Sequence, residues 1–398
     1  MAEKELRALG IISGIGSMLI GAEQAGFKVV GNIEDRKYYH TGTFEKNFEG
    51  AFMVNEMEDL DEVPQDIALI MGHADCGDFS NLNAHRKKTV LEGKGCRHII
   101  KTVELTQAVQ PRFFAFDNLP RSLEEFGADE YKAAFPDYDI YFEWISNWAY
   151  GNVQKNRDRL FVIGAKKEEK FVFKPGERFN YATVRDMIGD LKKDGSVLND
   201  HGFSMDYKIA YFKDLVVRGE SPTLQEFVDK FKDHKQGKNF EYINKDGEVK
   251  CRIGLMKTKW EGTGHVLTKE LPILHPKTCL PLNVRDRARI QGVPDDFEFV
   301  GEVLDENGNL DYHKSIKLMY QTGKCMPVQF NNFLASQIMA HIRGEEFDAS
   351  GARLLKQNEI VDQHKIRMCE IDYHPRKCEF CWVKDKCPRQ VSADFFTE

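Results

Sequence analysis

The first 35 residues contain the feature that most restricts the fold of this chain. An apolar segment, LGII, leads into the glycine turn Ser13–Ser17, a helix-forming stretch that stops near Gly26, and a second apolar strand, FKVVGNI, that ends at Glu34-Asp35. This strand, turn, helix, strand order predicts an α/β domain. Glycines in the turn let a ligand approach the backbone at the helix N-terminus, and an acid after the second strand can accept from ribose hydroxyls. A tight turn without a ligand explains the glycines about equally well.

Later apolar segments extend this unit into a sheet. Strands are predicted at 67–71 and 113–116, with a helix across 97–109 between them, which is the order of a doubly wound sheet. No apolar run approaches the roughly 18 residues that a membrane helix needs. The N-terminus lacks the apolar core of a secretory signal. We therefore expect an intracellular protein, in the cytoplasm of a bacterial or phage-infected cell, without membrane contact.

Nine cysteines in a reducing compartment are expected to be thiols, metal ligands or a nucleophile rather than disulfides. The length of 398 residues favours two or three domains, and the net charge of −7 excludes a globally basic coat protein for nucleic acid. A local basic patch is still compatible with that charge. Within 230–260, nine basic residues face four acidic ones and alternate with Phe231, Phe240, Tyr242 and Trp260. This composition indicates a phosphate-facing patch, although an ordinary solvated surface explains it nearly as well.

Two of the predicted strands end in reactive groups. Cys76 lies in the loop GHADCGDFS after one strand, and Asp117 begins the segment DNLP after the other. Ligands of open α/β sheets bind at such strand ends. A free thiol is usually a small buried apolar group, but a glycine-rich polar loop argues against burial here. Asp117 alone is as well explained as a cap or turn residue.

Six motifs, spread over residues 10–335, resemble those of the cytosine-C5 DNA methyltransferases and occur in the same order. SGIGS with the following AEQAGF resembles the cofactor loop, and GHADCGDFS resembles the nucleophile loop GGPPCQxFS. The segment RHIIKTVELTQAVQPRFFAFDNLP resembles the one that leads to the motif ENV, and YGNVQKNRDRLFVIG resembles YGVPQNRERVFIIG. LNVRDRARIQGVPDDFEF resembles LTxREaARLQGFPDDF, and YQTGKCMPVQF resembles the closing QIGNAVPPPL.

The resemblance implies an α/β fold: a doubly wound, Rossmann-like methyltransferase sheet with a smaller target-recognition domain. A Cys-rich C-terminal metal clip, which lies outside the resemblance, is expected after it. The catalytic and cofactor-binding domain is expected at 1–167, completed by 276–345 with a motif helix near 320–345. The target-recognition domain is expected at 168–275, where no family motif occurs, and the Cys-rich tail at 346–398.

The resemblance also implies the chemistry. Carbon 5 of cytosine is a poor nucleophile, so a thiolate first adds to C6, and Cys76 matches that nucleophile. Asp117 stands where the family has the Glu that protonates or hydrogen-bonds N3. Arg157 and Arg159 match the pair that holds the base O2 or the adjacent phosphate. An exposed charge run is the alternative, but the position of Arg-Asp-Arg directly before the strand LFVIG favours function. The target cytosine of double-stranded DNA must leave the stack to reach them.

The cofactor implied by the resemblance is S-adenosylmethionine. The residues expected to bind it are those of the glycine turn and its surroundings, the acids after the second strand, one residue between that strand and the strand at 67–71, and one in the closing motif: Ile12, Ser13, Gly14, Ile15, Gly16, Ser17, Glu34, Asp35, Asn55 and Lys324. Strict alignment puts Ile33 at the ribose acid, so the choice between Glu34 and Asp35 stays open.

Several positions depart from the family pattern. The Pro before the nucleophile is Asp75, and the Gln after it is Gly77. A carboxylate beside the thiol is expected to raise the pKa of Cys76. The acid at 117 is one carbon shorter than Glu, and the aromatic residue that packs on the adenine ring is replaced by Ile12.

Lys324 replaces the neutral Asn of the closing motif. An ammonium near a sulfonium is unfavourable unless an anion lies between them. This suggests a cosubstrate with an extra carboxylate, carboxy-S-adenosylmethionine, and hence carboxymethyl transfer. A lysine that points to solvent, or pairs with an acid such as Asp75 or Asp78, is the somewhat better supported alternative.

The tail holds four of the nine cysteines, Cys369, Cys378, Cys381 and Cys387. Four thiols around a CxxC core indicate a metal site, and the spacing with Pro388 favours a [4Fe–4S] cluster over zinc. Two rival functions remain at this stage: a catalytically silent DNA-binding protein of the same fold, and an enzyme that acts on RNA or on an already modified pyrimidine.

Overall fold

The structure is a computed structural model. It describes residues 5–35, 40–80, 93–154, 157–174, 182–191, 231–243, 247, 249–268, 273–279, 282–301, 306–307 and 312–348. For 146, 148–149, 240–243, 249–255 and 312–316 it describes the backbone alone.

A seven-stranded sheet forms the centre of the molecule. Its strands are β1 (Arg7–Ile11), β2 (Lys28–Ile33), β3 (Phe52–Val54), β4 (Ile67–His73), β5 (Phe113–Asn118), β6 (Tyr138–Ser146) and β7 (Asp158–Lys166). Their order across the sheet is β3-β2-β1-β4-β5-β7-β6. The five strands β1 to β5 are parallel, whereas β7 runs antiparallel to both β5 and β6. The direction of chain progression reverses between β1 and β4, and open α/β sheets bind ligands at such a switch point.

Helices cover both faces of this sheet. They are α1 (Ser17–Gln24), α2 (Thr41–Asn47), α3 (Lys94–Val109), α4 (Arg121–Phe126), α5 (Ala128–Ala134), α6 (Val184–Ile188), α7 (Val284–Gln291), α8 (Tyr312–Lys324) and α9 (Val328–Arg343). Because successive strand residues face opposite sides, β5 supplies both cores. Phe113 packs with the α1 and α9 side, and Phe114 packs with Tyr131 and Phe135 on the α3 and α5 side. The result is a three-layer domain.

Helices α8 and α9, near the end of the described chain, complete the helical layer that also contains α1. Helix α9 packs against α1 so closely that a Cβ on Gly21 would lie 2.6 Å from the backbone nitrogen of Asn332. The sequence predicted one motif helix near 320–345, and this was wrong in detail, because Cys325-Met326-Pro327 separates two helices. Proline fixes φ near the helical value and has no N–H to donate, so it is suited to the position just before a new helix. The break places residues 325–327 against the start of α1.

The other predicted elements occur within a few residues of their expected bounds. The strands expected at 67–71 and 113–116 each extend two residues further, to His73 and Asn118, and α3 begins three residues before its expected start, at Lys94. These extensions lie at the strand ends that carry reactive groups. The doubly wound α/β sheet is thus confirmed.

A second, three-stranded sheet lies in the middle of the chain, with order β10-β9-β8. Its strands are β8 (Asn239–Ile243), β9 (Val249–Lys257) and β10 (Ile273–Leu274). Two residues of the expected basic patch, Phe231 and Lys257, are buried. The Lys257 ammonium donates to the Lys232 carbonyl at 2.8 Å. The prediction that Phe231 and Lys257 face phosphate is wrong. The Lys277 ammonium lies over the ring of Trp260, 4.2 Å from its centre, so Trp260 has a cation beside it.

The expected metal clip at Cys369, Cys378, Cys381 and Cys387 lies outside the described residues, as does the whole segment 349–398. In the part of the chain that the structure describes, no three His, Cys, Asp or Glu side chains are grouped to hold a metal ion. Cys76, Cys96, Cys279 and Cys325 are free thiols. No described helix has the length and apolar character needed to cross a membrane.

Candidate functional site

Cys76 lies three residues beyond the end of β4, at the edge of the sheet where the parallel strands end. Its backbone, with φ −90° and ψ 1°, is in the sparsely populated bridge region, and a single 3₁₀ turn over Gly77–Phe79 follows it. The Asp75 carboxylate accepts from the backbone N–H of Gly77 at 2.8 Å, so the residue that replaces the family's Pro closes the turn around the thiol.

This loop is held against the first turn of α3. The Gly95 N–H donates to Asp78 Oδ2 at 2.6 Å, and the Asp75 N–H donates to Nδ1 of His98 at 3.4 Å. A Cβ on Gly95 would lie 2.5 Å from the Asp75 carbonyl oxygen. Only glycine permits this approach, and the contact fixes the position of the Cys76 loop relative to α3.

The charges around Cys76 act in opposite directions. Burial raises the pKa of the Cys76 thiol, and the carboxylates of Asp75 and Asp117 raise it further, while the guanidinium groups of Arg159 and Arg157 lower it. The net effect is a pKa above the ordinary value of a thiol. The expected influence of Asp75 on the thiol therefore has the predicted sign.

Asp75 itself is an ionised group. Burial acts to raise its pKa, but the Gly77 hydrogen bond and the charges of Lys324, Lys94 and His73 outweigh burial and lower the pKa below the ordinary value. Lys324 thus acts on a protein carboxylate. This electrostatic effect supports the alternative in which Lys324 faces a protein acid.

Asp117 lies on the neighbouring strand β5 and is almost completely buried. Its Oδ2 is 2.6 Å from Nδ1 of His73, and its Oδ1 is 3.5 Å from Nε of Arg159. Because β7 runs antiparallel to β5, the start of β7 lies at the same edge as the end of β5, which brings Arg159 to this carboxylate. The structure therefore places Cys76, Asp117 and Arg159 in one cluster.

Arg157 lies nearby but bonds to the protein itself. Its guanidinium donates to the Leu267 carbonyl at 3.0 Å and to the Cys325 carbonyl. Burial, followed by the like charge of Arg159, lowers the pKa of Arg157. Of the two arginines, Arg157 thus connects two loops, and Arg159 faces the thiol and the acid.

The glycine turn lies at the end of β1, beside the switch point. Gly14 and Gly16 have φ of 66° and 84°, and a Cβ on Gly14 would meet no atom within 4 Å. Ile12 also has a positive φ, 53°, which is rare for a β-branched residue, and its buried side chain packs in the core on the α3 side. Ile15 is buried on the opposite side, toward α1 and α2.

The acids after β2 have separate surroundings. Glu34 is fully buried, and its Oε1 accepts from the Gly14 N–H and the Asn32 amide, each at 2.8 Å. Asp35 accepts from Nε2 of His98 at 2.9 Å and pairs with Lys94 at 3.2 Å. Glu34 therefore contacts the glycine turn, whereas Asp35 contacts the first turns of α3.

Two buried oxygens beside the turn lack a hydrogen-bond partner in the described part of the chain. They are Oγ of Ser13 and Oε2 of Glu34. Buried polar atoms are nearly always bonded, so these two, next to the open space at Gly14, fit a ligand with hydroxyl or amino donors. The residues present thus fit a nucleoside cofactor such as S-adenosylmethionine. Asn55, after β3, accepts at Oδ1 from the Thr41 hydroxyl at 3.0 Å and is partly exposed.

Three residues of this site had no role in the sequence analysis. His73, His98 and Asn32 all contact predicted site residues. His73 had a visible signal, because it stands at the second Gly of the family's GGPPC while the acid partner is shortened at 117. The contacts of His98 and Asn32 depend on how β2, β4 and α3 come together and have no comparable signal.

A family model for the C-5 cytosine-specific DNA methylases matches residues 6–340. This chain belongs to that family. The membership confirms the resemblance drawn from the motifs. It also confirms that the protein is a transferase of the DNA (cytosine-5)-methyltransferase type. The match spans every residue of the cluster around Cys76 and of the glycine turn.

Individual relatives are distant but cover most of the chain. The type II methyltransferase M.FnuDI of Fusobacterium nucleatum is 22% identical over 376 residues, which cover 86% of this chain and 96% of its own length. The type II methyltransferase M.MthTI of Methanothermobacter thermautotrophicus is 24% identical and covers 83% and 96%. A crystal structure of a proposed DNA modification methyltransferase from an E. coli prophage has a TM-score of 0.56 at 19% identity and covers 85% and 99%, which supports the shared fold.

Proposed function

We propose that this protein transfers a methyl group from S-adenosylmethionine to C5 of an extrahelical cytosine in double-stranded DNA, with Cys76 as the nucleophile. The observation that supports this most strongly is the cluster of Cys76, Asp117 and Arg159 at the edge of the sheet that also carries the glycine turn. A thiol, an acid and a guanidinium are the groups that addition to C6 of cytosine needs.

The groups of the cluster have different tasks in the proposed reaction. The Cys76 sulfur bonds to C6 of the base and leaves at the end, while Arg159 lowers the pKa of the thiol and stabilises the thiolate. Arg159 also orients the carboxylate of Asp117 at 3.5 Å. The turn Ser13–Ser17 and Glu34 hold the cofactor, which when bound supplies an electrophilic methyl group on a sulfonium. Arg157 positions the loops at Leu267 and Cys325 rather than touching the base.

Carboxymethyl transfer from carboxy-S-adenosylmethionine is the second candidate, and it depends on Lys324 alone. The effect of Lys324 on the pKa of Asp75 favours the methyl donor, because the ammonium already has an anionic neighbour. Lys324→Asn distinguishes the two candidates. If this variant leaves the preference between the two donors unchanged, the carboxymethyl proposal fails.

The proposed domains follow the sequence expectation: a catalytic domain at 1–167 and 276–345, a target-recognition domain at 168–275, and the tail at 346–398. For the tail we propose, from cysteine spacing alone, a [4Fe–4S] cluster bound by Cys369, Cys378, Cys381 and Cys387. Iron, sulfide and zinc analysis of anaerobically purified protein, with Cys381→Ser as the matched variant, tests it. Zinc without iron would replace the cluster with a zinc site, and absence of both metals would leave free thiols.

The decisive experiment is mass spectrometry of nucleosides from duplex DNA after incubation with anaerobically purified protein. Each donor is supplied separately, and tRNA and free nucleotide are compared as substrates. A product on DNA cytosine that disappears in Cys76→Ala supports the proposal. Product on tRNA alone would move the function to RNA, and DNA binding without any product would identify a catalytically silent member of the family.

A further inference from the structure

His73 and Asp117 are direct cross-strand neighbours. The parallel pairing of β4 and β5 places His73 opposite Asp117 at the last paired position of these two strands. Parallel neighbours in register present their side chains on the same face of a sheet. Nδ1 of His73 lies 2.6 Å from Oδ2 of Asp117, a separation typical of a charge-assisted hydrogen bond.

These two positions depart from the family pattern together. The quoted motif GGPPC has glycine where this chain has His73, and the motif ENV has Glu where this chain has Asp117. The carboxyl group is thus withdrawn by one methylene, and an imidazole is added beside it. The imidazole lies at the end of β4, three residues before Cys76, at the same sheet edge as Asp117.

The hydrogen bond also fixes the orientation of the imidazole. An ionised carboxylate has no proton to donate, so beside Arg159 the Asp117 carboxylate accepts and Nδ1 of His73 donates. Nε2 then points away from Asp117. Within the described residues Nε2 makes no hydrogen bond, and the His73 side chain is 15% exposed, so the ring is not fully enclosed by protein.

We propose that His73 is a catalytic residue that contacts the pyrimidine, with Nε2 as the group that protonates N3, and that Asp117 orients it. Together they replace the single glutamic acid of the family. This inference rests on the proposed function and assigns the acid of that same site. An aspartate that orients an imidazole through Nδ1 and leaves Nε2 to act on the substrate is a familiar catalytic arrangement.

The Cys76 thiol first loses its proton to water, and the sulfur then bonds to C6. The C5–C6 π electrons form a C4–C5 double bond, the C4–N3 π electrons move to N3, and N3 takes the proton from Nε2 of the imidazolium. His73 becomes neutral and keeps its Nδ1 proton against Asp117. After C5 has gained the methyl group, the C5 proton passes to water, the C5–C6 double bond re-forms and the C6–S bond breaks to release the Cys76 thiolate. N3 then returns its proton to Nε2.

The test measures covalent capture of Cys76 by duplex DNA that contains 5-fluorocytosine, in the presence of S-adenosylmethionine. Two isosteric variants separate the roles of the two ring nitrogens. H73N keeps a donor near the place of Nδ1 and lacks one at Nε2, while H73Q reaches the place of Nε2. We expect H73N to slow adduct formation on the order of 100-fold, with a smaller loss for H73Q.

A double variant tests the replacement of the glutamate directly. H73G and D117E should each slow capture, and H73G/D117E should recover part of that loss, because together they restore the family's arrangement. Capture at the wild-type rate by H73N, or by H73G if H73N does not fold, would overturn the inference. Absence of capture by the wild-type protein would instead overturn the proposed function itself, so the two failures are distinguishable.

Discussion

The backbone N–H of Met326 donates to the Ser17 hydroxyl at 2.9 Å, and thereby joins the break between α8 and α9 to the first residue of α1. The two residues are 309 positions apart in the chain. This bond fixes the closing segment against the glycine turn. The glycine turn and the break that follows Lys324 therefore form one local structure.

Ser17→Ala removes this bond and leaves the buried Met326 N–H without its acceptor. We expect a loss of about 1–2 kcal/mol in the free energy of unfolding and weaker binding of S-adenosylmethionine. Denaturant unfolding and calorimetric titration measure the two effects.

Ser122→Ala is the matched control, because Ser122 is also fully buried and its hydroxyl donates to the Leu119 carbonyl at 2.7 Å. It should reduce stability to a similar degree and leave cofactor affinity unchanged. Equal loss of affinity in both variants would show that Ser17 acts through general stability alone.

Gly14→Ala tests whether the glycine turn binds the cofactor. Gly50→Ala is its control, because Gly50 has a similar positive φ and lies outside the turn. Gly14 and Gly50 have φ of 66° and 76°, and a Cβ on either would meet no atom within 4 Å. Each substitution should therefore cost about 1–2 kcal/mol of stability through backbone strain. Only Gly14→Ala should also weaken cofactor binding, because its new methyl group fills the space beside Ser13 and Glu34. Unchanged affinity in Gly14→Ala would move the cofactor away from this turn.

Asp75→Asn should shift the pH dependence of Cys76 toward lower pH. Burial raises the pKa of this thiol, and the Asp75 carboxylate raises it further, so removing that charge lowers the pKa. Below the pKa the alkylation rate rises about tenfold per pH unit with the thiolate fraction, and it levels off above the pKa. The alkylation rate of the variant should therefore level off at a lower pH. The asparagine amide oxygen can still accept from the Gly77 N–H.

The rate of iodoacetamide alkylation of the peptide that contains Cys76, followed by mass spectrometry, measures this shift. Asp78→Asn is the control, since Asp78 accepts from Gly95 and is not among the charges that act on the thiol. A profile for Asp75→Asn that coincides with the wild type would show that Asp75 does not set the pKa of Cys76.

Arg157→Met should destabilise the protein far more than an exposed arginine substitution. It leaves the buried carbonyls of Leu267 and Cys325 without their charged donor, at an expected cost of about 2–4 kcal/mol. Arg185→Met, which breaks an exposed pair with Glu261, should cost about 0–1 kcal/mol. Thermal unfolding of both variants compares them, and similar melting temperatures would contradict a clamping role for Arg157.

The central sheet could be predicted from the sequence because its strands are short apolar runs and its turns are rich in glycine. Cys76, Asp117 and Arg159 were placed by motif, and the structure brings them together. The separate tasks of Arg157 and Arg159 could not be predicted, because the adjacent motif positions give no indication of which guanidinium meets loop carbonyls. The His73 contact required the register between β4 and β5, which depends on tertiary packing rather than on any local pattern.

The Arg157 guanidinium has a consequence for how two ligands would affect each other. It holds the Leu267 carbonyl, next to the middle segment of the chain, and the Cys325 carbonyl, next to Ser17 and the glycine turn. A shift of either loop changes the bonds available to the other. If DNA on the Leu267 side tightens cofactor binding by some factor, thermodynamic linkage requires the cofactor to tighten DNA binding by that same factor.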